Sequence, residues 1–177
     1  MKQFQLDEEG TRYRIRVESV NDLSASLVKT LIEIDLQTFA ESTFSPYTAA
    51  AFLKYGHVFL LRTDDAVIGT CVCMRTWDRP NESLILSMGI KPGWRGRGLG
   101  QFFVAGVVDG LRKQGHLGVC LSIGSENARA IKVYKDVGFD VVGEGPEDPR
   151  TGERFIYLRL PLPQEQRLVS IQGGETA

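Results

Sequence analysis

The chain has 177 residues, 42% of them hydrophobic, which fills one core of ordinary size and predicts a single domain. Its 21 basic and 22 acidic residues leave a net charge of -1, which excludes a global field that would recruit nucleic acid or an anionic membrane surface. Any anion site must therefore be local.

Met1 to Gly10 carries Asp7, Glu8 and Glu9 and no apolar run, so it reads as neither a signal peptide nor an anchor. No window approaches the roughly 20 apolar residues of a spanning helix. Arg12 to Val17 alternates basic residues with Tyr13, Ile15 and Val17, the pattern of a half-buried strand. From Leu23 to Phe39 the period changes, with Leu27, Leu31 and Ile34 at helical steps. A short second helix runs from Ser45 or Pro46 to Lys54, opened by the proline and closed by Gly56. His57 to Arg62 and Ala66 to Trp77 are β-branched runs joined by Thr63, Asp64 and Asp65, which predicts a hairpin. Ser83 to Ile90 is the next strand, with Leu84, Leu86, Met88 and Ile90 expected on one face.

Gly98 to Gln114 repeats Leu99, Phe103, Val107 and Leu111 at helical steps and ends at Gly115. Leu117 to Ile123 reads as a buried strand, Asn127 to Val137 as a helix, and Phe139 to Val142 and Arg154 to Leu160 as the last strands. The domain is expected over 1–162, with 163–177 as a loosely held polar tail. Cys71, Cys73 and Cys120 are an odd number of cysteines, and His57 and His116 stand at no ligand spacing, so no metal is implied. Free cysteines and no export signal make the cytoplasm the expected compartment.

The chemistry concentrates in Arg95, Gly96, Arg97, Gly98, Leu99 and Gly100, between a strand and a helix. The first N–H groups of a helix lack intrahelical partners, and its dipole favours negative charge there. Glycines let a phosphate approach those N–H groups, and two arginines add positive charge, so the segment reads as an anion cradle. It is not a P-loop, which needs Gly-Lys-Ser/Thr. Nor is it a dinucleotide fingerprint, which needs a further glycine where Gln101 or Phe103 stands.

Arg95, Gly98 and Gly100 match the pyrophosphate motif of the GNAT superfamily of N-acetyltransferases: Arg or Gln, two residues, Gly, one residue, Gly or Ala. The resemblance extends to the strand ending Ile90, Lys91, Pro92 and to the run Asn127, Ala130, Tyr134, Gly138, Phe139. It spans Arg12 to Leu160, densest from Leu84 to Phe139. It implies an α/β GNAT fold: a mixed, mainly antiparallel sheet of about seven strands flanked by about four helices, with acetyl-CoA at a central splay. It implies that backbone groups of Met88, Gly89 and Ile90 hold the acyl-pantetheine arm, and that Arg95 to Gly100 hold the pyrophosphate.

Asn127 and Tyr134 are seven residues apart, two helical turns, and share a helix face. By resemblance Asn127 contacts the pantetheine arm, and Tyr134 protonates the departing thiolate. A phenol of pKa ~10 can donate to a thiolate of pKa ~8.5. The alternative for Tyr134 is a core aromatic with a satisfied hydroxyl. Family positions that carry a glutamate base fall here on Leu84 and Ser122, so Glu82 is the nearest carboxylate, and ordered water the alternative. The implied reaction is direct acetyl transfer to a primary amine, bordered by Phe39 to Tyr55 and Glu144 to Glu153, and compatible with a homodimer. A non-catalytic CoA-binding module is the rival.

Overall fold

The alternating and β-branched runs assemble one sheet, described in the computed structural model for residues 3–8, 10–39, 44–150 and 152–163. Residues 164–177 of the expected tail lie outside these, as do 40–43 and 151 of the expected acceptor borders. The strands are β1 (Gln3–Glu8), β2 (Thr11–Val20), β3 (His57–Arg62), β4 (Val67–Arg75), β5 (Glu82–Ile90), β6 (Gly118–Gly124), β7 (Asp140–Glu147) and β8 (Arg154–Pro161). Their order is β1-β2-β3-β4-β5-β6-β8-β7, antiparallel throughout except for the parallel pair β5 and β6.

The sheet thus has eight strands where the sequence predicts about seven. The added strand is β1, whose acidic end hides a period-2 pattern. Phe4 and Leu6 pack on the core, with the Phe4 ring 5.3 Å from that of Phe102, and Asp7 pairs with Arg12 across the hairpin.

The helices are α1 (Ala25–Thr38), α2 (Pro46–Tyr55), α3 (Leu99–Lys113) and α4 (Ala128–Val137). Ser24 and Ser45 cap α1 and α2 by accepting the N–H groups of Leu27 and Thr48. These two helices cover one sheet face, burying Leu31, Ala49 and Leu53 against Val58, Leu60 and Val72. On the opposite face, α3 and α4 bury Phe103, Val107, Leu111, Tyr134 and Phe139 against Ile15, Phe59 and Cys71. Burial of these apolar side chains is worth about 1.5–3 kcal/mol each before entropy is subtracted.

The predicted alternation in β5 is broken. Val72 faces Ser87 but Cys73 faces Ile85, so Leu86 is an extra residue in β5, a bulge that leaves it 44% exposed. Ile85, Met88 and Ile90 consequently share the α3–α4 core, in place of the expected set of Leu84, Leu86, Met88 and Ile90. Ser87 and Gly89 turn toward α1, where Ser87 Oγ stands 3.5 Å from Asp35 and a Cβ on Gly89 would lie 2.3 Å from Thr38 Oγ1.

Candidate active site

β5 and β6 pair only through Glu82–Gly118, Ser83–Val119 and Leu84–Cys120. Beyond them β6 continues along β8 while β5 stays on β4, so among the described residues two strand edges face each other unpaired. A cleft of about 550 Å³ borders the parted end of β5. It is lined by Thr38 and Phe39 from α1, by Met88 to Ile90 from β5, by the glycine loop, and by Asn127, Arg129 and Tyr134 from α4.

A single 3-10 turn, Pro92–Trp94, delivers the chain from β5 to the loop. Gly96 has φ +83° and Gly98 φ +75°, left-handed conformations that glycine adopts without penalty. Gly98 is also the N-cap of α3 and offers no side-chain bond. The N–H groups of Leu99, Gly100 and Gln101 precede the first intrahelical bond, from Phe102 N–H to Gly98 C=O at 3.2 Å, and lack helical acceptors. The loop's shape and charge therefore fit a phosphate. Leu99 itself is buried in the core, so only its backbone faces this end.

The two arginines of the loop are held by backbone carbonyls. Arg95 Nε donates to Ile90 C=O at 2.7 Å and its Nη2 to Gln37 C=O at 3.3 Å. Arg97 donates to Gly93 C=O and lies over the Trp94 ring at 5.8 Å. Both guanidiniums thus brace backbone carbonyls, and Arg95 also lines the cleft. Among the cleft's cations, sequence reasoning missed Arg129, whose Nη2 would be 4.0 Å from a Cβ on Gly96. Its signal is a basic residue in the first turn after Asn127.

Asn127 caps α4, its Oδ1 accepting Ala130 N–H at 3.1 Å, which orients the side chain and leaves its amide N–H groups for the cleft. Tyr134, two turns on, is 7% exposed; its ring meets Phe139 edge-on at 5.4 Å. Its hydroxyl stands 3.7 Å from Met88 Sδ, at the strand residue that lines the cleft. Burial pushes the phenol far above its ordinary pKa, and the neighbouring Cys71 and Cys73 push further the same way, so the group is a proton donor at any physiological pH. Those two thiols, two residues apart on β4, are buried with sulfurs 3.7 Å apart.

Glu82 is not in the cleft. It begins β5, six residues or about 20 Å along the strand from Met88, and Arg159 Nε donates to its Oε2 at 2.9 Å while Arg159 Nη2 donates to Oε1. These bonds to Arg159 hold its pKa below the ordinary carboxylate value. The structure therefore does not bring Glu82 together with the other predicted site residues, and its carboxylate is bound by Arg159 instead. The sequence also gave no sign of Asp35, buried in α1, which accepts Phe44 N–H at 3.1 Å; burial raises its pKa. Among the described residues no His, Cys, Asp and Glu cluster can hold a metal, and no helix is long and apolar enough to cross a membrane.

Comparison with known proteins agrees with this geometry. The model of the Acetyltransferase (GNAT) family matches residues 26–139. An uncharacterized protein of Mycobacterium leprae is 29% identical over 146 residues, 75% of this chain but 40% of that protein, so the chain spans about two fifths of that relative's length. The ribosomal-protein-S18-alanine N-acetyltransferase of Escherichia coli superposes with a TM-score of 0.73 at 18% identity, over 88% of this chain and 98% of that one. A Bacillus subtilis acetyltransferase in complex with CoA gives 0.68 at 17% identity, over 84% and 99%. The yncA protein of Salmonella typhimurium, solved with its cofactor acetyl-CoA, gives 0.67 at 18%, over 86% and 96%. At these identities the solved structures show the fold, and the family match shows that the chain belongs to the Acetyltransferase (GNAT) family.

Proposed function

We propose that this GNAT-family protein transfers an acetyl group from acetyl-CoA directly to a primary amine, on a small molecule or a protein. The observation that carries this reading is the convergence, in one cleft, of the glycine loop, the end of β5 that has parted from β6 and the buried Tyr134. The N–H groups of Leu99, Gly100 and Gln101 suit a pyrophosphate, and the β5 edge at Met88, Gly89 and Ile90 suits a pantetheine arm, whose amides offer the donors and acceptors of a peptide. Asn127 would present its amide N–H groups to the same arm.

Bound acetyl-CoA supplies an activated acyl group. The chain's own residues then do the rest. Backbone N–H groups of β5 polarise the carbonyl, and the cleft holds the amine within attack distance of it. As the C–N bond forms and the C–S bond breaks, the Tyr134 proton passes to sulfur, and the phenol is restored by the proton that the amine gives up. With Glu82 bound to Arg159, ordered water carries that proton away from the amine.

The removal of Glu82 from the cleft favours one alternative, a non-catalytic CoA-binding module. A panel of amines incubated with acetyl-CoA and scored for free thiol separates the two. Amine-dependent thiol release supports transfer; tight acetyl-CoA binding with no release on any amine, lysyl and N-terminal peptides included, would leave the binding module.

A further inference from the structure

Arg95, Arg97 and Arg129 surround the glycine loop, but their guanidiniums are differently engaged. Arg95 is held by the carbonyls of Ile90 and Gln37, and Arg97 by that of Gly93 and by the face of Trp94. Arg129 lines the cleft, is exposed, and among the described residues its side chain makes no hydrogen bond or ion pair. The nearby Lys132 is neutralised by Asp136, with Nζ at 2.9 Å from Oδ2, and the first turn of α4 contains no acidic residue.

The Arg129 guanidinium projects from the start of one helix toward Gly96, at the start of another. Two helix N-termini and one uncommitted guanidinium thus meet over a loop whose glycines carry no side chain. An arginine there offers paired N–H donors that match two phosphate oxygens, which an ammonium group does not.

We infer that Arg129 supplies the side-chain countercharge to the CoA pyrophosphate, closing over it from α4, while Arg95 and Arg97 serve the loop as internal braces. This rests on the proposed use of acetyl-CoA. It makes α4 a two-ended device: its first turn grips phosphate and its second and third turns carry Tyr134 to the thioester end.

Calorimetry on the full chain tests it, with acetyl-CoA and 3′-dephospho-CoA as ligands and Arg129→Gln, Arg129→Lys and Arg112→Gln as variants. Arg112 lies in the last turn of α3, at the opposite end of that helix from the loop, and controls for loss of one positive charge. Arg129→Gln should weaken both ligands by about tenfold or more, Arg129→Lys by less, and Arg112→Gln by no more than about twofold. The salt dependence of binding should flatten in Arg129→Gln alone. Equal affinity of Arg129→Gln and the parent for acetyl-CoA would overturn the assignment. A loss seen with acetyl-CoA but absent with 3′-dephospho-CoA would overturn it in favour of the 3′-phosphate. Failure of the parent protein to bind either ligand would instead remove the proposed function and this inference with it.

Discussion

Glu82→Gln should cost stability and leave the pH dependence of turnover unchanged. In the parent, both carboxylate oxygens of Glu82 accept from Arg159, with side-chain exposures of 8% and 29%, and Arg79 Nη1 adds a contact at 3.7 Å. Breaking a fully buried pair costs about 3–5 kcal/mol, because the remaining charge loses its partner. Here water still reaches Arg159, and glutamine keeps one acceptor, which discounts the loss to about 2 kcal/mol. For a chain of this size that lowers Tm by about 4–8 °C. The sign with pH follows from the lowered pKa: Glu82 stabilises the fold above its ordinary value of 4.5, and that contribution is lost as pH falls through its folded value. Urea melts at about pH 7 should therefore separate the two proteins, and the gap should close as the pH is taken below the folded value. Initial rates from about pH 6 to 9.5 should rise along the same limb in both proteins. Equal stability at neutral pH, or an alkaline limb flattened by the substitution, would refute the assignment of Glu82 to the scaffold.

Tyr134→Phe should retain acetyl-CoA affinity in calorimetry and reduce kcat by about ten- to a thousandfold, since the hydroxyl acts as sulfur leaves. Gly98→Asp places a side chain at φ +75° with nothing within 4 Å of its Cβ, so it should fold, lose about 1–2 kcal/mol in a thermal melt, and weaken acetyl-CoA binding about tenfold or more by setting a carboxylate in the cradle. Gly89→Ala sets a Cβ 2.3 Å from Thr38 Oγ1, itself bonded to Ile34 C=O at 2.7 Å, and should cost about 1–3 kcal/mol in urea unfolding; adding Thr38→Ala should restore part of it.

The elements that carry the site were legible because each follows from local chemistry. Three glycines and two arginines within Arg95–Gly100 announce a phosphate-sized cradle, and Asn127 with Tyr134 marks one helix face by spacing alone. What was illegible depends on distant partners. Arg159 is 77 residues from Glu82, so nothing near Glu82 shows that its carboxylate is already bound. The bulge at Leu86 is set by pairing with β4, and one inserted residue moves Ile85 onto the face assigned to Leu84 and Leu86. Composition likewise does not record that backbone carbonyls hold the Arg95 and Arg97 guanidiniums. In β1 the acidic residues that follow Leu6 mask the alternation of Phe4 and Leu6.

The parting of β5 from β6 gives the protein a built-in gauge of its own occupancy. Alternate amides along β5 past Leu84, and along β6 past Cys120, point into the splay and have no strand to pair with there. Such amides trade their hydrogens with water quickly unless a partner covers them. A molecule that lies between the strands and bonds to both edges would slow exchange along two short, known segments while the outer strands keep their pace. Deuterium uptake over 85–90 and 121–124 would therefore register what enters the cleft, and how far along it reaches, before any acceptor amine has been identified.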